Sequence, residues 1–451
     1  MTDTEALALV KSIVAPETLS YVQEIVFKFS WEGRLYPQIA KDAGYHPEYI
    51  RDVGAQLWRS LSDSLGQKIT KKNVRFILSQ LEAPSSNGHD NGQAPVSSPI
   101  QNPPSGMNTI SFPSTALPLK SSVYLSRLDL ESQAFSEVDR PSGLLRIKAP
   151  GSRGKTSLVL RVLDYARQRG MQTVLLNFQE VDGAIASDLG RFLRWFSLNV
   201  TYQLGLESKL DDYWDEELGN KISCKLYFRE YLLKQMARPW VLALDQVDQI
   251  FEYPDLVQEF LPMLRAWHEE GMEQSIWQNL RLVMSYSTEV YVPLKISQSP
   301  FNIGLALHLP ELTLDEIKTL VECYELPWGV DETSQGVQQL QALVGGHPYL
   351  VQTALYWLKN SEIRLPDLLA NAPTQSGIYA GHLRRHWQVL QRHPGLLEAI
   401  RELLRSPQGL QLEALCAYRL ESLGLIKLTG NVAQLSCNLY QQYFQSMLSK
   451  T

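Results

Sequence analysis

The stretch from Leu144 to Gly170 constrains this chain more than any other. Leu144-Leu-Arg-Ile147 is a short apolar run bounded by turn formers, Lys148-Ala-Pro-Gly-Ser-Arg-Gly-Lys-Thr-Ser157 is a glycine-bearing loop, and an amphipathic helical pattern follows to about Gly170. Strand, loop and helix in that order build a cradle for phosphate. Successive backbone N–H groups converge, Gly151 and Gly154 let the backbone approach an anion closely, and the helix presents its positive end. Pro150, Gly151, Ser152, Arg153, Gly154, Lys155, Thr156 and Ser157 are therefore expected around the phosphates of ATP or ADP. Lys155 reaches the β and γ oxygens, and the Thr156 hydroxyl ligates Mg²⁺. The strict pattern wants glycine where this chain has Ala149, so the loop does not decide the matter alone.

A second element decides it. About ninety residues on, Trp240-Val-Leu-Ala-Leu-Asp245 is a hydrophobic strand ending in an acid, placed to hold the Mg²⁺ water shell beside the loop. Thr173 to Leu176, Leu280 to Met284 and Leu305 to Leu309 read as further strands with helical segments between them, which predicts a parallel sheet covered on both faces. At the end of the Leu280 strand, Ser285, Ser287 and Thr288 offer hydroxyls to a γ-phosphate or an attacking water, or simply cap the strand. Lys155, Asp245 and Asp248 are the candidate catalytic residues. Gln246 follows the metal acid, and a carboxamide cannot take a proton from water; Asp248 carries a carboxylate but sits two positions further on. ATP binding with slow hydrolysis is the expectation.

The rest of the chain divides around a break in composition. Residues 83–118 run through Pro84-Ser-Ser-Asn-Gly88 and Asn102-Pro-Pro-Ser-Gly106 with hardly an apolar periodic residue, and read as a disordered linker. Before it, residues 1–82 look all helical. Pro37, Gly44 and Pro47 punctuate a helix-turn-helix whose second helix turns Ile50, Val53, Leu57 and Leu61 inward and Tyr49, Arg51, Asp52, Gln56 and Arg59 outward. Arg59, Lys68, Lys71, Lys72 and Arg75 are placed to meet DNA phosphates. Residues 1–83 hold ten basic and ten acidic side chains, however, so a protein partner or a plain solvated face fits the same pattern. After the linker, 119–310 form the nucleotide core and 311–390 a helical lid. There, Gly345-Gly-His-Pro348 starts a helix that turns His347 and Pro348 toward the nucleotide, or merely starts a helix. Residues 391–451 suggest a small winged-helix-like domain that binds DNA or packs on the lid.

Composition excludes several classes. Of 451 residues, 44% are hydrophobic and 20% charged, ordinary for a globular protein, and a net charge of −6 rules out a uniformly basic nucleic-acid coat. Cys224, Cys323, Cys416 and Cys437 are scattered, without zinc or disulfide-framework spacing; with no secretory signal or membrane span in the pattern, a cytoplasmic protein is expected.

Residues from about Val123 to Phe444 resemble AAA-like domain proteins, within or close to the STAND class of signal-transduction P-loop ATPases. The resemblance rests on Ile147 to Ser157, Asp188-Leu-Gly-Arg-Phe-Leu-Arg-Trp-Phe196, Leu210-Asp-Asp-Tyr-Trp-Asp215, Leu242-Ala-Leu-Asp-Gln-Val-Asp248, Leu264-Arg-Ala-Trp-His268 and Gly345-Gly-His-Pro-Tyr349. Residues 1–82 are similar to the helix-turn-helix domain of vWA-MoxR-associated proteins, through Ser30-Trp-Glu-Gly33, Ile39 to Tyr45, Tyr49 to Gly54 and Lys71-Lys-Asn73. Together they imply an α/β P-loop NTPase core with a parallel sheet, a helical lid, a C-terminal winged helix and a separate all-α N-terminal domain. The resemblance also implies that Tyr124 and Arg127 approach the nucleotide base, and that Gln246 stands where relatives usually carry Glu. A nucleotide-controlled signalling switch or adaptor in a conflict or regulatory system is what the resemblance implies; an ATP-dependent DNA-binding regulator is the alternative, and a fast motor fits Gln246 poorly. A protein partner and oligomerisation on ATP are implied, with Arg194 and Arg265 as candidate trans-acting arginines or as surface charges.

Overall fold

The computed structural model describes single positions between residues 6 and 78 and a continuous helix at 21–31, then residues 112, 113 and 116–449 apart from 237 and 288–298. The chain divides into two compact units, Met1–Pro103 and Pro104–Thr451.

In the first unit, helix α1 (Tyr21–Trp31) buries Val26, Phe27 and Trp31. They join a core that includes Ile39, Ile50, Val53, Leu57, Trp58 and Leu61. The inward positions expected of the second helix of the helix-turn-helix are thus all buried. Trp58 Nε1 donates to the Tyr36 hydroxyl at 2.7 Å, and Lys71 Nζ lies 4.3 Å from the centre of that ring. The outward set Tyr49, Arg51, Asp52, Gln56 and Arg59, with Lys68, Lys72 and Arg75, lies outside the described residues.

The second unit is built on a parallel sheet. Helix α2 (Leu128–Asp139) leads into β1 (Leu144–Lys148), then α3 (Lys155–Gln168), β2 (Gln172–Asn177), α4 (Leu189–Gln203), α5 (Asn220–Leu226), β3 (Trp240–Asp245), α6 (Pro254–Glu270), β4 (Leu280–Tyr286) and β5 (Leu305–His308). The spatial order is β2-β3-β4-β1-β5 with every pairing parallel. β3 is buried along its whole length. Because side chains alternate along a strand, Val241 and Ala243 pack with α2 and α3, whereas Trp240, Leu242 and Leu244 pack with α4 and α6 on the other face. That second face is lined by Phe192, Phe196, Phe228, Phe260 and Trp267, whose rings meet edge-on or stacked.

The helices that follow are α7 (Leu314–Cys323), α8 (Val330–Val344), α9 (Pro348–Asn360), α10 (Leu365–Asn371), α11 (Ala380–Arg392), α12 (Pro394–Arg405) and α13 (Ala414–Ser422). An antiparallel hairpin, β6 (Ile426–Thr429) and β7 (Val432–Leu435), and α14 (Asn438–Leu448) end the chain. Thr313 and Glu316 form a reciprocal capping box that fixes where α7 begins. One continuous hydrophobic core holds Ile317, Leu340, Leu350, Leu383, Ile400, Leu425, Tyr440 and Phe444. The segments read from sequence as lid and winged helix therefore share their interior. At the other end of the core, the last residues of the segment read as linker are packed: Pro113 is buried and Phe112 meets Tyr356 edge-on at 5.2 Å.

Candidate functional site

The strand order explains the site. β4 lies between β1 and β3, so the loop after β1 and the acid at the end of β3 face one another across Ser285, which pairs in register with Ile147. Thr156, the second residue of α3, donates its hydroxyl to Asp245 Oδ2 at 2.7 Å. Ser285 donates to the other carboxylate oxygen, Oδ1, and accepts the Gln246 N–H at 3.1 Å. Asp245 is 1% exposed and Ser285 fully buried, so this serine braces the acid. The Thr156 hydroxyl and the Asp245 carboxylate are two hard oxygens side by side, the donor set that suits Mg²⁺. Among the described residues no cluster of three or more His, Cys, Asp or Glu side chains forms a separate metal site.

The loop is shaped by two left-handed residues, Ser152 at φ 57° and Gly154 at φ 93°, the second with nothing within 4 Å of where a Cβ would stand. Gly154 caps α3 without a side chain, leaving the helix's first N–H groups directed at the loop. Lys155 is 7% exposed and turns back onto its own loop, donating to the carbonyls of Ala149 at 2.8 Å and Pro150 at 3.0 Å. Burial pushes its ammonium down to about 8, against the pull of Asp248 and Asp245. Asp248 accepts the Ser287 N–H at 2.9 Å. Gln246, itself left-handed at φ 60°, donates its carboxamide to Asn177 Oδ1 at 3.3 Å.

A cavity of about 530 Å³ opens over this loop, lined by Gly151 to Ser157, Asn177, Gln179, Gln246, Ser287 and the turn residues Pro348 and Tyr349. Leu117, Arg153, Gly154, Ser157, Pro348 and Gln352 continue into an apolar recess that Tyr124, Arg127, Leu130 and Leu312 complete. Tyr124 and Arg127 are thus at the far end from Lys155. Tyr124 donates to Glu131 at 2.8 Å and Arg127 to the Pro310 carbonyl at 2.8 Å. His347 does not line either cavity: it is 2% exposed and faces His382, with Nδ1 free of hydrogen-bond partners. Burial, with the Arg153 charge, keeps its imidazole neutral well below the usual histidine range. Thr288 lies outside the described residues.

Three charges join the loop to the rest of the unit. Arg153, 5% exposed, pairs with Glu311 at 3.0 Å, and Glu311 pairs in turn with Lys427 of β6 at 2.7 Å. Burial pushes the Glu311 carboxyl up, but Lys427 and Arg153 outweigh it and hold it below its usual value. Gly151 donates its N–H to the carbonyl of Ser422, the last residue of α13, at 3.1 Å. Sequence reasoning did not single out Glu311, Ser422 or Lys427, because no local pattern marks a residue whose partner lies more than a hundred positions away. Arg194 and Arg265 are occupied in their own chain. Arg194 pairs with Asp211, and Arg265 donates to Glu269 at 2.8 Å and Asn302 Oδ1 at 2.6 Å.

A phosphate loop, an acid-tipped strand one position removed and an all-parallel five-stranded sheet define a nucleotide-binding P-loop ATPase. Residues 112–446 match the AAA-like domain, and the chain belongs to that family. Residues 1–81 match the vWA-MoxR associated protein N-terminal HTH. No curated protein matches. Similar solved structures include the Walker-type ATPase PABY2304 of Pyrococcus abyssi, 13% identical over 71% of this chain and 96% of that one with a TM-score of 0.49. Another is the Aeropyrum pernix ORC2 protein in its ADPNP–ADP complexes, 15% identical over 72% and 94% with a TM-score of 0.42. Domain III of the Thermotoga maritima replication initiation protein DnaA is 13% identical over 54% and 90%, with a TM-score of 0.34. Among the described residues no helix is long and apolar enough to cross a membrane.

Proposed function

We propose that the chain is a STAND-like signalling switch or adaptor in which ATP or ADP, with Mg²⁺ held by Thr156 and Asp245, sets whether the C-terminal helical body stays docked on the phosphate loop. The observation that carries this reading is the double contact at the loop: Arg153–Glu311–Lys427 through charge and Gly151–Ser422 through the backbone. The helices after β5 and the winged-helix-like hairpin share one core, so they respond as one body. An arriving phosphate contests the Gly151 N–H with the Ser422 carbonyl and meets the negative end of α13, which biases the body away from the loop. The Mg²⁺ ion would neutralise phosphate charge between Thr156 and Asp245.

Hydrolysis is expected to be slow. Gln246 occupies the position next to the metal acid and is engaged with Asn177, while the Asp248 carboxylate accepts the Ser287 N–H. The test is calorimetry with Mg²⁺-ATP and Mg²⁺-ADP on the full chain, followed by turnover. Uptake that disappears in Lys155→Ala, with turnover below about 1 s⁻¹, supports the reading. Absence of uptake at millimolar nucleotide sinks the site, and faster turnover dependent on Lys155 sinks the impaired base.

An ATP-dependent DNA-binding regulator is the second reading, favoured by the match of residues 1–81 to a helix-turn-helix domain. For the C-terminal unit the surface chemistry favours protein contact: the exposed side chains at α13 include its N-cap Glu413, Leu415 and Tyr418, an acid, an aliphatic group and a ring, and Arg419 is the one basic side chain of that helix. Duplex affinity that falls steeply with salt would support DNA binding by the N-terminal unit. A protein partner and assembly on ATP belong to the switch reading, and light scattering with and without nucleotide decides the latter. A soluble cytoplasmic setting suits both readings.

A further inference from the structure

Phe112 packs on Tyr356 of α9, and Pro113 is buried. Four residues after Pro113, the Leu117 N–H donates to Ser157 Oγ at 3.0 Å, beside Thr156. Arg161, one turn further along α3, is 8% exposed, and its guanidinium donates to three backbone carbonyls. Nη1 reaches Leu117 at 3.3 Å and Ser157 at 2.9 Å, while Nη2 reaches Pro118 at 3.0 Å. Its other surface lies 3.1 Å from the centre of the Tyr124 ring. Arg161 lines neither cavity, but Leu117 and Ser157, to which it donates, line both, and Tyr124, on which it stacks, lines the apolar recess. A planar fork bonded to three carbonyls and stacked on a ring pins the incoming strand at low entropic cost, which a lysine in the same place does not achieve.

We propose that Arg161 is a positioning residue that holds Leu117, Pro118 and Tyr124 in place as a wall of the nucleotide site, so that this wall sets how long a nucleotide stays bound. The proposal rests on the nucleotide-site reading above. It goes beyond that reading because Arg161 lines neither cavity and acts only through the residues it holds.

The test is a stopped-flow chase of an N-methylanthraniloyl-labelled ADP from the full chain, comparing wild type with Arg161→Met, Arg161→Lys and Leu117→Pro. The last removes the N–H offered to Ser157 together with the Leu117 side chain, and fixes the backbone there. Dissociation is expected to quicken roughly tenfold in Arg161→Met and in Leu117→Pro, and less in Arg161→Lys, with association changed by under about threefold, since losing contacts at a wall acts mainly on escape. Dissociation within about twofold of wild type in Leu117→Pro and in folded Arg161→Met overturns the proposal. So does an Arg161→Met protein with a lower melting temperature and unaltered exchange, because that is the behaviour of a merely structural arginine. Should Arg161→Met fail to fold, Arg161→Lys and Leu117→Pro carry the test together. Lys155→Ala separates the two levels: if wild type takes up the label and Lys155→Ala does not, the site stands and exchange alone judges the wall. If wild type takes up none, both fall.

Discussion

Lys155 is the side chain whose environment makes the sharpest statement. Its ammonium is buried against loop carbonyls and depressed to about 8, so near pH 8 a fraction of the unliganded protein holds it neutral. Bound phosphate favours the charged form and raises that value. Nucleotide binding is therefore expected to take up protons around pH 8 to 9, and affinity to weaken as pH rises above 8 toward the bound-state value. Calorimetry at pH 8.5 in two buffers of different ionisation enthalpy measures the uptake; equal heats in both would contradict it. Gln246 makes a second prediction. Its left-handed backbone is held by Ser285, so Gln246→Glu places a carboxylate at the same point beside Asn177 without moving the chain. Since general-base catalysis contributes roughly 10²–10⁴-fold, turnover by phosphate release is expected to rise at least about 10²-fold. No rise would mean that the attacking water is not positioned there.

Between elements, the informative contacts are those at the phosphate loop. Arg153 is nearly buried, Glu311 partly so and Lys427 half in solvent. Removing the exposed end is cheap: Lys427→Ala is expected to cost about 1 kcal/mol or less in urea unfolding. Glu311→Gln strands the Arg153 guanidinium and is expected to cost about 3 kcal/mol. If the pair anchors the C-terminal body, hydrogen exchange over residues 414–435 quickens in Glu311→Gln, and unchanged protection there would detach the ion pairs from docking. Gly346 offers a separate check on the turn before α9. A Cβ there would stand 2.2 Å from the Leu312 carbonyl oxygen, whose own N–H bonds Gly346, so Gly346→Ala must push two backbones apart. A loss of about 1–3 kcal/mol is expected.

Across the whole molecule, each unit has its own core, with Phe27, Trp31, Leu57 and Leu61 in the first and the sheet with its helical cover in the second. Calorimetric melting of the full chain is expected to give two transitions, of which only the one belonging to residues 104–451 shifts upward with Mg²⁺-nucleotide, because only that unit holds the loop and the acid. A single transition that moves as one would mean the units unfold together.

The amino-acid sequence was sufficient for everything that depends on local pattern. The five strands, the loop, the acid at the end of Trp240–Asp245 and the inward face Ile50, Val53, Leu57 and Leu61 are written in hydrophobic spacing, glycine placement and strand-end charge, which neighbours along the chain enforce. Tertiary structure alone decided what the site touches. His347 turned inward, away from the cavity, because the start of α9 packs against α11, and Ser285 became a brace for Asp245 because β4 lies between β1 and β3. Arg153 found Glu311 and Lys427, Gly151 found Ser422, and Arg161 caught the incoming chain at Leu117. Each of these joins residues far apart in the chain, and pairings at that distance are set by how layers stack and by which buried charges must be matched, neither of which leaves a periodic trace.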